Sequence, residues 1–190
     1  LPAPAPPPAA APGEVRVHES WWPAGEPVTA RNGMTPAQTA QLAGHARAVA
    51  GRLAAELGAG PADVLVLGTE ELMYLPTLVA AELAGLRPDV EVRTQSTTRS
   101  PVHAADTPGY AVRRTLAFPA PDEPDRPSRV HNLVDPAAPP PTGSAWSDLR
   151  PDHLVVLVDA SSADCRPMVE ALRPYAAVVQ LLPVGPEATR

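Results

Sequence analysis

The sequence predicts an α/β protein of three layers on a mostly parallel sheet, and three observations predict it. Val64-Leu65-Val66-Leu67 and Leu154-Val155-Val156-Leu157-Val158 are apolar at every position, the pattern of strands covered on both faces. Each run opens into a short polar loop, then a helical stretch, then another strand pattern. With right-handed crossovers assumed, that order is the βαβ passage of a parallel sheet. The chain has 190 residues, enough for one sizeable core, so one domain is expected.

Residues 1–13 form a Pro/Ala tract, expected as an extended linker of polyproline II type ahead of a domain at 14–190. A ligand for SH3-like domains is the sharper alternative for that tract. The 27 prolines cluster at 1–12, 119–127, 136–141 and 183–186, so these stretches are expected outside regular structure. Val15 to His18 is a candidate short strand. Trp21 and Trp22 read either as a flap or docking contact or as core anchors. Thr35-Pro36-Ala37-Gln38 marks a helix start: Thr35 caps, Pro36 suits the first position, and Gln38 completes a capping box. Leu42, Ala46, Val49, Leu53 and Leu57 follow at helical spacing, with Gly58 as C-cap. His45 and Arg47 fall off this stripe and are expected in solvent.

Strand 64–67 leads through Gly68 into a helix ending near Gly85, with Leu72, Leu75, Val79 and Leu83 inward. Pro76 belongs in that helix's first turn. Val90 to Gln95 alternates, as a half-exposed or edge strand does. Residues 102–110 read as irregular, 113–118 and 130–134 as strands, and 119–129 and 136–147 as loops. His153 to Asp159 is a buried strand ending in a carboxylate, and Ala160 to Asp164 is a polar turn. Pro167 opens a helix reaching Tyr175, and Ala177 to Leu182 is the last strand.

A formal net charge of −6 and a pI near 5.3 argue against a nucleic-acid surface, which needs clustered positive charge. Every basic residue is Arg, so an anion site must use Arg, backbone N–H or hydroxyls, and a lysine Schiff base is excluded. A lone cysteine, Cys165, rules out an internal disulfide and a multi-Cys metal site. The five histidines show no i, i+4 pair, so no metal and no cofactor are expected. No run of 18 apolar residues suggests a membrane span. The start at Leu1, without a basic segment ahead of an apolar one, reads as part of a longer cytoplasmic protein.

Two polar loops that follow adjacent parallel strands meet on one sheet edge, where open α/β sheets bind ligands. The loop Gln95 to Pro101 places Ser96, Thr97, Thr98 and Ser100 around Arg99. Short hydroxyls and backbone N–H groups wrap a phosphate, and Arg99 adds a bidentate contact. The plainer alternative is a polar turn whose hydroxyls satisfy their own backbone. The other loop carries Gly68, Thr69 and the adjacent carboxylates Glu70 and Glu71. Such a pair is relieved by a ligand's hydroxyls, a cation or an Arg, with Arg99 a candidate. One carboxylate capping the next helix beside a solvated neighbour is an equal alternative. Asp159 closes its strand in position to hold ribose hydroxyls, with Ser161 and Ser162 next, or else it serves as a helix cap. Cys165 beside Arg166 reads as inert, since no acid or His is tied to it. No Ser-His-Asp order, GxGxxG or GxxxxGK[ST] motif is present.

The stretches Gly68-Thr69-Glu70-Glu71-Leu72-Met73-Tyr74-Leu75-Pro76 and Gln95-Ser96-Thr97-Thr98-Arg99-Ser100-Pro101 resemble the TRSP domain family, whose signature stands here at Thr98 to Pro101. Both motifs occur in the family's order, and the likeness covers residues 14–185. In that family the domain follows a phosphoribosyltransferase domain, in proteins linked to tellurium-resistance-type bacterial stress systems and thought to make a nucleoside-like metabolite. The resemblance therefore implies an upstream phosphoribosyltransferase domain in the same chain. It also implies an accessory domain that binds a phosphorylated sugar or nucleoside-like molecule. The alternative is an interaction module that docks the catalytic domain through Trp21, Trp22 and Trp146, without a small-molecule site. The element order is also similar to a degenerate phosphoribosyltransferase, or Rossmann-like, fold. Ala160 stands where that fold has a second acid, and Ser161 to Cys165 lack its glycine and threonines. That departure implies a domain not catalytic by itself.

Overall fold

The runs at 64–67 and 154–158 lie at the centre of a five-stranded, all-parallel sheet. The computed structural model describes residues 12–24, 26, 28, 33–133, 150–162 and 164–185. Trp146, the loop at 136–147, Val134 and most of the leader expected at 1–13 fall outside them. The elements are β1 (Glu14–Val17), α1 (Pro36–Glu56), β2 (Asp63–Gly68), α2 (Tyr74–Leu86) and β3 (Glu91–Ser96). There follow β4 (Thr115–Pro119), β5 (Pro127–His131), β6 (His153–Asp159), α3 (Arg166–Leu172), a 3-10 turn (Arg173–Tyr175) and β7 (Val178–Val184). Sheet order is β1-β7-β6-β2-β3.

Local signals set the first helix. Thr35 and Gln38 form the reciprocal capping box, and Leu42, Ala46, Val49 and Leu53 are all buried. Helices α1 and α2 cover one sheet face, packing Leu53, Val79 and Leu83 with Val64, Val66, Val155 and Leu157. On the other face Met168 and Leu172 of α3 meet Leu65, Leu67, Leu154 and Val156. Each fully buried Leu or Val contributes about 1.5–3 kcal/mol. The chain steps outward from β2 to β3 and from β6 to β7 in opposite directions. Crossovers of one hand then place α2 and α3 on opposite faces.

The second face differs from the expected helical layer. An antiparallel hairpin, β4 with β5, packs Phe118 and Val130 beside α3 and supplies much of the cover there. Its strands hold prolines that the clustering at 119–127 assigned to loop, and β5 begins at Pro127, three residues before the expected start. Pro119 and Pro127 face each other at the hairpin's turn end, where ladder donors are dispensable. Pro183 likewise belongs to β7, opposite Val158. Its nitrogen faces the side where β1 has already ended at Val17, opposite Leu181, so no N–H is missed. The helix opened by Pro167 stops at Leu172 and tightens into the 3-10 turn that reaches Tyr175.

Trp22 is a core anchor: it is buried, and its indole N–H donates to the Glu26 carbonyl at 2.9 Å. Trp21 stacks on His18 with centroids 3.7 Å apart. His45 is half-buried against Trp22 rather than in solvent, whereas Arg47 is exposed and paired with Glu82. At the sheet's N-terminal edge Gly13 donates to the Arg173 carbonyl at 2.9 Å, so the first strand is pinned beside the start of β7.

Candidate functional site

The strand order reverses between β2 and β6, and the carboxyl ends of such strands leave a crevice between the loops they feed. A cleft of about 660 Å³ occupies that position. Thr69, Glu70, Glu71 and Leu72 line it from the loop after β2, and Arg99 from the loop after β3. Asp159, Ser161 and Ser162 come from the loop after β6, and Pro121 and Asp122 from the hairpin turn.

Glu70 organises the cleft. Gly68 ends β2 so tightly against the next turn that an added Cβ would collide with the Leu72 carbonyl. The chain then turns at Glu70 with φ +45°, left-handed for a residue with a side chain. Its N–H donates to Thr97 Oγ1 at 2.9 Å, and Thr97 N–H donates to the Gly68 carbonyl at 2.9 Å. The Glu70 side chain is 9% exposed and takes two guanidinium contacts: Arg99 Nε on Oε2 at 2.6 Å and Arg126 Nη1 on Oε1 at 2.7 Å. Burial pushes this carboxyl's pKa up, but hydrogen bonds from Arg126 and Arg99 outweigh it and hold the pKa below the ordinary range. The buried Ser128 hydroxyl adds to that pull without reaching full hydrogen-bond geometry.

Arg126 spends every edge on carboxylates: Nη1 on Glu70, Nη2 on Asp122 at 2.7 Å and Nε on Glu123 at 2.9 Å. The Glu70 bond, ahead of an opposing burial effect, drives its pKa further up. Arg99 differs. Its side chain is 54% exposed, and beyond Nε its nearest carboxylate is Glu71, 3.6 Å from Nη2. A paired backbone bridge between Thr98 and Arg129, at 2.8 and 2.9 Å, ties the Thr-Arg-Ser-Pro loop to β5.

Asp159 Oδ1 accepts from Ser161 N–H at 2.8 Å and Ser161 Oγ–H at 2.7 Å. Among the described residues Oδ2 has no hydrogen-bond partner. Cys165 is half-buried, and burial raises its thiol pKa, which leaves it a poor nucleophile.

Of the residues expected at the site, Thr69, Glu70, Glu71, Arg99 and Asp159 meet around this one cleft. The expected ring of hydroxyls does not. Thr97 is buried beneath the elbow, Thr98 Oγ1 accepts the Ser100 N–H at 3.1 Å, and Ser96 ends β3 beside Gly68. Ser100 is exposed, and none of these four lines the cleft, nor does Gly68. Arg126, Asp122 and Pro121 were hidden in a Pro- and charge-rich stretch. The one signal there was a single Arg among Asp122, Glu123 and Asp125.

The fold and the place of the cleft define an open parallel α/β protein with its crevice at the reversal of strand order. The chain belongs to the TRSP domain family: the family model described as TRSP domain C terminus to PRTase_2 matches residues 28–172, three quarters of the length. No curated protein and no solved structure matches it.

Proposed function

We propose that this chain is the accessory ligand-binding domain of a phosphoribosyltransferase-type protein, and that the cleft holds a phosphorylated or nucleoside-like small molecule. The observation that carries this reading is Arg99. It is fixed through Nε by Glu70, while its Nη groups remain accessible on the cleft wall. A guanidinium held in that way meets an anion with little loss of side-chain freedom. Across the cleft, the spare oxygen of Asp159 accepts sugar hydroxyls. The family's description, which puts the domain after a phosphoribosyltransferase, supports the substrate class. A role in tellurium-linked stress metabolism of the bacterial cytoplasm rests on family resemblance alone. The domain binds without catalysing by itself, since Ser161 and Ser162 follow Asp159 without the glycine and threonines of a phosphate loop.

Calorimetry of the chain against ribose 5-phosphate, nucleosides, nucleoside monophosphates and phosphoribosyl pyrophosphate tests the reading. Binding by the native chain, weakened at least tenfold in Arg99→Ala, is the expected result. Absence of heat with every one of these compounds defeats it.

Docking of the catalytic domain is a second reading, and one observation favours it. Met73 and Tyr74 beside the elbow and Val102 beyond Pro101 are exposed apolar side chains. Trp22, buried, does not serve that role. Cross-linking from Tyr74 to a phosphoribosyltransferase domain in the longer protein, with no ligand bound by either form, would select it.

A further inference from the structure

Charge bookkeeping in the cleft restricts what it can hold. Among the described residues its lining has four carboxylates, Glu70, Glu71, Asp122 and Asp159, against one guanidinium, Arg99. Arg126 neutralises from behind and does not line the cleft, and each of its three nitrogens already gives a bond to Glu70, Asp122 or Glu123. Arg99 gives Nε to Glu70, so one edge of one guanidinium remains for an incoming anion. Glu71 is 83% exposed with Arg99 3.6 Å away as its nearest cation, and Asp159 has no cationic partner among the described residues. These two charges face any anion that enters, while both are good acceptors for hydroxyl donors.

We propose that the cleft selects a hydroxyl-rich sugar or nucleoside carrying no more than one phosphoryl group, and discriminates against polyphosphates. This rests on the ligand-binding reading above and narrows it. One guanidinium edge pairs one phosphoryl group bidentately. A second phosphoryl group finds no further cationic side chain among the described residues of the wall, only the hydroxyls of Thr69, Ser161 and Ser162, and lies near uncompensated carboxylates. At the effective dielectric of a protein surface, such an added charge weakens binding by about tenfold. Phosphoribosyl pyrophosphate, with its additional diphosphate, is therefore the wrong ligand for this domain, although it is the obvious one for a neighbouring transferase.

The test is a calorimetric comparison in EDTA at low ionic strength, with matched pairs that differ only in phosphorylation. Ribose 5-phosphate is set against phosphoribosyl pyrophosphate, and AMP against ADP. The less charged member of at least one pair is expected to bind about tenfold or more tightly. The gap should shrink severalfold in Glu71→Gln and at 0.5 M NaCl, because screening weakens repulsion between exposed charges. Equal or tighter binding of the polyphosphate in both pairs overturns the proposal while leaving ligand binding intact. A gap unchanged in Glu71→Gln and by salt overturns it as well, since charge would not be its cause. Failure of all four compounds and of adenosine to bind instead removes the ligand-binding reading, and this inference with it.

Discussion

Thr97 Oγ1 accepts the backbone N–H of Glu70 at 2.9 Å, and this bond holds a residue with a full side chain in the left-handed region. The threonine of the loop after β3 therefore shapes the loop after β2. Thr97→Val keeps the volume, removes the acceptor and leaves a part-buried N–H unpaired. A loss of about 1–3 kcal/mol is expected, read as a lower urea midpoint with an unchanged slope. Thr97→Ser restores most of it. An unaltered midpoint in Thr97→Val would show that the elbow is held by its ion pairs alone.

Glu70 gives the cluster a pH signature. Its native pKa lies below the unfolded value, so its stabilisation is complete above about pH 4.3 and is lost as pH falls through the native value. Glu70→Gln removes one carboxylate from between two guanidinium groups and costs roughly 2–3 kcal/mol at pH 7, less than a wholly buried pair because Arg99 is half exposed. Denaturation at stepped pH should show the two proteins converging between pH 5 and 2. Parallel curves across that range would contradict this assignment.

Gly68→Ala is expected to cost about 1–3 kcal/mol by overpacking, because the new methyl meets the Leu72 backbone and Pro76 Cγ. A fall in Tm with altered chemical shifts at residues 69–73 is the expected reading. Gly44→Ala provides the control, since nothing lies within 4 Å of a Cβ there.

A polar chain crosses the core beneath α1. Gln180, fully buried, meets His18 Nε2 through Oε1 and His153 Nδ1 through Nε2, each at 3.1 Å. Burial depresses the His153 pKa, against an opposing pull from Asp152. The unfolded chain then takes up the proton first, so stability declines as pH falls below about 6.5. His153→Gln should flatten the dependence of the urea midpoint between pH 7 and 5. A slope equal to that of the native chain would assign it to another group.

Much of this was legible because it is local or periodic. The capping box of Thr35 and Gln38 needs only neighbouring residues, and the runs 64–67 of β2 and 154–158 of β6 announce their two-sided burial by lacking any polar position. The meeting of Glu70 with Arg99 followed from two loops leaving adjacent parallel strands, Gly68 opposite Ser96. What failed depended on tertiary return. Thr97 turned inward to take the Glu70 N–H from the neighbouring loop, a partner that sequence spacing does not reveal, while Thr98 accepts the Ser100 N–H, the plainer alternative of a turn that satisfies its own backbone. Arg126 lay in a stretch expected as loop, and the hairpin folds it onto Glu70, fifty-six residues earlier in the chain.

The anchoring of Gly13 has a consequence for reach. β1 begins at the floor of the sheet, whereas the cleft opens at the roof, and β6 between those levels is seven residues tall, about 23 Å at strand rise. A small group tethered ahead of Gly13 would have to climb that height along the outside, needing at least about seven extended residues of slack, whereas a folded domain of about 100 residues spans it with its own width. A shorter tether would hold such a group at the floor, away from the cleft, with the sheet itself unchanged.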